Sequence, residues 1–284
     1  MRHGRVLTRM LAAALGLALS FAGLAEAAQP SAQPSAEYVA MGSSFAAGPG
    51  LPPHAPDAPP RCARSLANYA RQLAALRGLR LSDVSCSAAT TRALLEPWGE
   101  LPAQVDALGA ATRLVTVTIG GNDVGYIGGL LAASCTQLAA QGGVPASRCR
   151  PVAPPTEAEF AALARSLREL AAAVRARAPG ATLVYVDYLT VLPPAGLCEA
   201  TPLPEADADL ARGTATRLLA LTAAAARDAG ALLLPASRLS AEHHACAAEP
   251  WMWGYPAAAG GAPYHPNEQA MVGLARALDE VLGR

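Results

Sequence analysis

The sequence predicts a three-layer α/β/α sandwich built on a doubly wound, parallel, five-stranded sheet. Three observations carry that expectation. Short apolar runs alternate with longer helical patterns, which puts helices on both faces of a parallel sheet. One run, "RLVTVTIGG" (113–121), is β-branched and almost continuously apolar, as a central strand buried on both faces requires. Hydrophobic residues make up 52% of the 284 residues and charged ones only 15%, ample side chain for one large core.

The first 27 residues stand apart. Arg2, Arg5 and Arg9 precede an apolar run from Met10 to Leu24, and Ala25-Glu26-Ala27 supplies an A-x-A cleavage site. That order reads as a secretory signal peptide (1–27), because the run is short for a membrane span. A short tether (28–36) containing "QPSAQPS" follows, and then one domain (37–284). No other stretch is long and apolar enough to cross a bilayer, so the processed chain is expected without an integral membrane span, in the periplasm or outside the cell.

Without the leader the net charge is about −2, which recruits neither nucleic acid nor an anionic membrane surface. All 22 basic residues are arginines. The absence of lysine excludes a Walker phosphate loop and a lysine Schiff base. No dimerisation signal is visible, so a monomer is expected.

The elements follow in order. Tyr38 to Met41 forms the first predicted strand and "LRLSDVSC" (79–86) the second, with 113–121 as the third. "ATLVYVDY" (181–188) and "ALLLPAS" (231–237) are the fourth and fifth. Between them, "SLANYARQLAALRG" (65–78) reads as a helix with a glycine stop. Thr156 and Glu159 form a capping box for a helix reaching about Ala178. A third helix spans 205–230 and a last one runs from Pro266 to Leu282. The proline-rich "PGLPPHAPDAPPRC" (49–62) is a long surface loop placed to lie over a site.

In open parallel sheets ligands bind beyond the carboxyl ends of the strands. Three polar, glycine- or alanine-rich stretches fall there: "GSSFAAG", "CSAATT" and "GGND". A serine hydrolase needs a hydroxyl nucleophile, an imidazole base and donors aimed at an oxyanion. The first strand is followed by a hydroxyl and the third by Asn122. "YHPNEQ" puts His265 at the start of the last helix, where Pro266 loses nothing by lacking an N–H. Each piece in isolation is also what a turn or helix cap contains.

Together, in this order, they are specific. The chain resembles the SGNH, or GDSL-type, hydrolase superfamily from about Tyr38 to Leu282, and within it the secreted actinobacterial esterases and lipases. "GSSFAAG" matches the first block, with Ser43 in place of the usual Asp and Ser44 as nucleophile. "GGND" matches the third and "HPN" the last. The resemblance implies a flavodoxin-like fold and an acyl-enzyme on Ser44 with His265 as base. It implies an oxyanion hole made by the Ser44 and Ala88 N–H groups and the Asn122 side chain, with no cofactor and no metal. Ala88 stands where this group typically has glycine, and it can serve if its backbone avoids the left-handed region. Ala262 stands where the family has the acid of its triad, so the expectation is a Ser-His dyad. The Ala262 carbonyl, or a neighbour, would then orient the imidazole; failing that, Glu249 or Glu242 is the nearest carboxylate.

Six cysteines in an exported chain favour disulfides, with 15 pairings open on sequence alone. "HHAC" (243–246) is the only dense cluster for the rival reading, metal binding. The resemblance implies neighbours paired in order: Cys62–Cys86, Cys135–Cys149 and Cys198–Cys246. Trp251 and Trp253 are candidates for a substrate-binding wall, and equally for core. Asp123 is expected to brace the loop carrying Ser44, and Asp187 to cap or brace a loop. The function expected is hydrolysis of lipid or other acyl esters. A polysaccharide acetyl-esterase, or a non-catalytic binding module on the same scaffold, is the alternative.

Overall fold

Five parallel strands hydrogen-bond in the order β2-β1-β3-β4-β5 in a computed structural model that describes Met1, residues 36–258 and residues 260–283. They are β1 (Tyr38–Gly42), β2 (Leu81–Asp83), β3 (Leu114–Thr118), β4 (Thr182–Val186) and β5 (Leu232–Leu234). The expected leader and the tether as far as Ser35 lie outside the described residues. β1 and β3 pair from Tyr38–Leu114 to Gly42–Thr118, and every residue of both is buried. That explains why their sequences are continuous in apolar character rather than alternating. The order reverses between β1 and β3, so the crevice at their carboxyl ends is where this topology places a ligand.

The two outer strands are shorter than predicted. β2 ends at Asp83 because that carboxylate turns the chain, accepting the Ser85 N–H and hydroxyl. β5 ends at Leu234 because Pro235 has no N–H for the ladder, and a helical turn, Ala236–Leu239, follows at once.

Helix α1 (Ser44–Ala47) is a single turn directly after β1. α2 (Tyr69–Arg77) starts later than the predicted 65 because Asn68 takes the cap, its Oδ1 accepting the Arg71 N–H at 3.0 Å. After the short α3 (Thr91–Leu95), α4 (Tyr126–Ala140) was not anticipated, since Gly128 and Gly129 lower its helix propensity. α5 (Glu157–Arg177) carries the expected capping box, with Thr156 and Glu159 bonded reciprocally. α6 (Glu205–Ala229) stops at left-handed Gly230. After α7 (Ala236–Leu239), α8 (Glu268–Val281) is capped by Asn267 rather than begun by Pro266. α2 packs on α8, while α3, α4, α5 and α6 pack on one another, giving the two helical layers.

All three disulfides pair neighbours in order: Cys62–Cys86, Cys135–Cys149 and Cys198–Cys246. Cys246 is thereby consumed, and His243 stacks flat on Trp251, with ring centroids 4.6 Å apart. The proline-rich loop is pinned. Leu66 N–H bonds the Pro53 carbonyl, Ala55 N–H bonds the Arg64 carbonyl, and Cys62 closes the segment.

Candidate active site

The turn that carries Ser44 is built by a glycine. Gly42, the last residue of β1, has φ +139°, and a Cβ there would lie 2.4 Å from the Thr118 carbonyl oxygen. Only glycine lets β1 leave β3 so closely and turn into α1. Gln104 brackets the same peptide, its Oε1 accepting the Gly42 N–H at 2.7 Å while its Nε2 donates to the Gly42 carbonyl. Ser44 is therefore delivered at the first position of α1, 8% exposed.

His265 arrives from the other end of the chain. Its Nε2 lies 2.8 Å from Ser44 Oγ, across 221 residues of sequence. Its Nδ1 lies 2.8 Å from a carbonyl, and that carbonyl belongs to Pro263, the neighbour of Ala262 rather than Ala262 itself. The reason is local. The Ala262 carbonyl accepts the His265 backbone N–H at 3.1 Å, closing a turn whose third residue, Tyr264, has φ +58°. A turn with a left-handed third residue uses up the first carbonyl and leaves the second free for the ring. Tyr264 holds that conformation because it is fully buried and its phenol meets the Ser134 hydroxyl on α4. The carboxylates of Glu242 and Glu249 take no part in orienting His265. Burial lowers the imidazole pKa below the ordinary 6.5, offset in part by the Pro263 carbonyl, so the ring is neutral at pH 7.

The segment 86–91 forms the next wall. Cys86 N–H bonds the Gly42 carbonyl at 3.0 Å, joining this segment to the turn that carries Ser44. Ala88 has φ +65°. The residue thus occupies the left-handed region that the sequence reading required it to avoid; the consequence is backbone strain, while its N–H stays without a partner among the described residues. The neighbours hold it there: Ala89 N–H bonds the Cys86 carbonyl, and Asn122 Nδ2 donates to the Ala89 carbonyl at 2.8 Å. Asp123 accepts the Thr91 N–H and hydroxyl, so it braces the loop carrying Ala88 rather than the loop carrying Ser44. Among the described residues no partner takes the Ser44 or Ala88 N–H, and Asn122 retains a second amide hydrogen. Burial raises the Asp123 pKa despite the Thr91 bonds.

The remaining candidates fall elsewhere. Asp187 braces α7, accepting the Ser237 N–H at 2.8 Å and its hydroxyl at 3.0 Å, and desolvation raises its pKa to about 6. Trp251 packs against α8, where a Cβ on Gly273 would be 2.4 Å from the ring. Trp253 lies against Gly261 in the same way, and its backbone pairs with Tyr264 and His265. Both tryptophans support the histidine segment. Neither lines the two cavities that Tyr126 borders. One, of about 280 Å³, is lined by Val124, Gly125, Tyr126, Val152 and Leu210. The other, about 430 Å³, is walled by Tyr126, Tyr188, Leu192 and Leu219.

Ser43 and Tyr188 are the residues that sequence reasoning undervalued. Ser43 is 1% exposed, and its Oγ lies 3.2 Å from the Tyr188 hydroxyl, which also accepts the Gly121 N–H at 2.9 Å. The tyrosine ring lies 4.6 Å from that of Phe45, the residue after Ser44. Tyr188 sits beside Asp187 in "YVDY", where the carboxylate is the more conspicuous signal.

Residues 40–271 match the family described as GDSL-like Lipase/Acylhydrolase. Lipase 2 of Streptomyces coelicolor is 35% identical over 289 aligned residues, covering 98% of this chain and 97% of that one. Among solved structures, the extracellular lipase from Streptomyces rimosus superposes with a TM-score of 0.68 at 26% identity, over 86% of this chain and 98% of its own. Phospholipase A1 from Streptomyces albidoflavus superposes with a TM-score of 0.71 at 24% identity, over 87% and 99%, a likeness of fold.

Proposed function

This chain belongs to the GDSL-like lipase/acylhydrolase family and is a carboxylic ester hydrolase; from that premise we propose that it works as a Ser44–His265 dyad on lipid or other hydrophobic acyl esters. The observation that carries the reading is the 2.8 Å contact between His265 Nε2 and Ser44 Oγ, with Nδ1 held at 2.8 Å by a main-chain carbonyl. The Pro263 carbonyl accepts only from an Nδ1–H, so it fixes the tautomer whose Nε2 lone pair faces the serine.

In the first step Ser44 Oγ attacks the ester carbonyl while its proton passes to His265 Nε2. The negative charge on the tetrahedral oxygen falls to the Ser44 and Ala88 N–H groups and the Asn122 amide. His265 then gives the proton to the departing alkoxide, and the alcohol leaves an acyl-enzyme. Water, deprotonated by the same nitrogen, releases the acid and restores the serine. The Pro263 carbonyl is a dipole and not a charge, so it steadies the imidazolium less than a carboxylate would. Burial of the ring keeps the resting base neutral.

The lipid assignment draws on the Streptomyces relatives named as lipases and on the two apolar cavities beside Tyr126. Export fits the leader-like first 27 residues, the three disulfides and the extracellular relative. No helix among the described residues is long and apolar enough to cross a membrane. We assign the enzyme to a monomer in the periplasm or outside the cell.

The test is labelling with a fluorophosphonate together with turnover of p-nitrophenyl esters from acetyl to long acyl, acetylated xylan being the control. Wild type should take one label at Ser44 and prefer chains longer than acetyl. Ser44→Ala should abolish labelling and lower kcat by about 10⁴-fold or more, with the thermal midpoint within about 2 °C. Turnover of acetylated xylan above that of every acyl ester would overturn the lipid assignment, and an unlabelled, inactive wild type would overturn the dyad.

A further inference from the structure

We infer that Tyr188 is a positioning residue for this reaction, its hydroxyl tying the turn that carries Asn122 to the turn that carries Ser44. The inference rests on the serine-hydrolase reading above. Tyr188 comes from the carboxyl end of β4, and its hydroxyl reaches both turns. It accepts the buried Gly121 N–H at 2.9 Å and lies 3.2 Å from Ser43 Oγ, a contact in which either hydroxyl can donate. Gly121 immediately precedes Asn122 and Ser43 immediately precedes Ser44. One oxygen atom thus joins the residues next to the nucleophile and next to an oxyanion donor.

The chain makes room for this contact. A Cβ on Gly121 would lie 2.7 Å from the Tyr188 Cζ and hydroxyl oxygen, so the second glycine of "GGND" is what allows the phenol to approach. The ring is fixed from both sides, by Phe45 at 4.6 Å and by Tyr126 edge-on at 6.1 Å. Tyr188 is 3% exposed, and burial pushes its pKa up to about 12, so the phenol remains a proton donor across the working range. Ser43 Oγ has no other partner among the described residues. Ser43 and Tyr188 therefore form a neutral hydroxyl pair at the position where the resembling family usually carries a carboxylate.

Removing the hydroxyl leaves the Gly121 N–H buried without a partner and frees the Gly120–Asn122 turn to shift. The Asn122 amide meets the transition-state oxygen and not the ground-state ester, so the loss falls on kcat. A merely structural tyrosine would lower stability and leave kcat alone, or lower kcat independently of Asn122.

The experiment is a double-mutant cycle in the full processed chain, with Tyr188→Phe, Asn122→Ala and the pair measured on p-nitrophenyl butyrate. Asn122→Ala should lower kcat about 100-fold. Tyr188→Phe should lower kcat about 10- to 30-fold with KM within about twofold, and fluorophosphonate labelling should slow by the same factor. In the Tyr188→Phe background, Asn122→Ala should cost less than about tenfold, because the amide is already misplaced. If Tyr188→Phe does not fold, Ser43→Ala cuts the other end of the bridge; it should lower kcat about threefold to tenfold, again less than additively with Asn122→Ala. Full kcat in the folded variant, or multiplicative losses, would overturn the inference while leaving the dyad intact. A wild type that neither turns over ester nor accepts the label would overturn the hydrolase reading, and this inference with it.

Discussion

The rim at the carboxyl ends of β1 and β3 and the α5–α6 layer are made of the same chain under different rules. In the layer, a helix of 21 residues starts in a capping box and one of 25 residues stops at a left-handed glycine, and their apolar stripes are buried against each other and the sheet. At the rim, Gly42, Ala88, Gly120 and Tyr264 all have positive φ. Regular backbone there is replaced by the side chains of Gln104, Asn122, Asp123 and Tyr188, which hold backbone groups, and by the Pro263 carbonyl, which holds the His265 ring. The difference teaches where this protein concentrates strain. Local propensity maintains the layer, whereas the rim persists because distant segments over-determine it.

If that contrast is right, cutting a long-range tie at the rim costs rate as well as stability. Cys62–Cys86 is the strongest such tie, since it joins the pinned proline-rich loop to the residue two before Ala88. Replacing both cysteines by alanine reopens a loop with a separation of 24 residues, which should cost about 3 kcal/mol. Equilibrium urea unfolding measures that term. The kcat on p-nitrophenyl butyrate should fall about tenfold at the same time. An unchanged kcat would mean that Asn122 and Asp123 hold the Ala88 turn unaided, and that the rim is less interdependent than described.

The pH profile probes the rim from a second side. In the proposed mechanism His265 must be neutral to accept the serine proton, and burial moves its pKa below the ordinary 6.5. Protonation, and with it the loss of kcat/KM, therefore begins at a lower pH than for a solvated imidazole, and the acid limb should fall tenfold per pH unit below an apparent pKa under 6.5. The linkage to stability has the same direction. A depressed histidine pKa contributes stability that is present above the unfolded value and is lost as pH falls through the folded one. An acid limb centred above 6.5 would place a charge near the ring that this geometry does not contain.

The contrast between the regions also explains what could be read from sequence. The capping box at Thr156, the glycine stop at Gly230 and the buried run of β3 were legible because each depends on residues within a few positions of one another. Ser44, Asn122 and His265 were legible as three short blocks in a set order. The acceptor for His265 was not, because choosing between the Ala262 and Pro263 carbonyls requires the φ of Tyr264, which a phenol contact with Ser134 maintains from 130 residues away. Tyr188 was missed for the same reason, its partner Ser43 being 145 residues distant. Helix α4 escaped because its glycines read as breakers, yet Gly125 and Gly128 are where Val152 packs.

The smallest effects separate the two regions most cleanly, because they have opposite signs. In the layer, Thr156→Ala removes a side-chain cap whose oxygen accepts the Glu159 N–H, and it should destabilise by about 1 kcal/mol. Since α5 contributes nothing to the dyad, kcat should not change. At the rim, Ala88→Gly replaces a residue held at φ +65° with the one that adopts it freely. The strain relieved, about 1 kcal/mol, is opposed by the greater entropy glycine loses on folding, about 0.5–1 kcal/mol, so the net change should be a gain of a few tenths at most. The proposed oxyanion role of this position needs only a main-chain N–H, which glycine also supplies, so kcat should stay within about threefold of wild type. Thermal melts and initial rates on the two variants are sufficient to judge this. A fall in stability on Ala88→Gly larger than that on Thr156→Ala would show that the Ala88 methyl group packs more than it strains, and would remove this residue from the set of distortions the rim sustains.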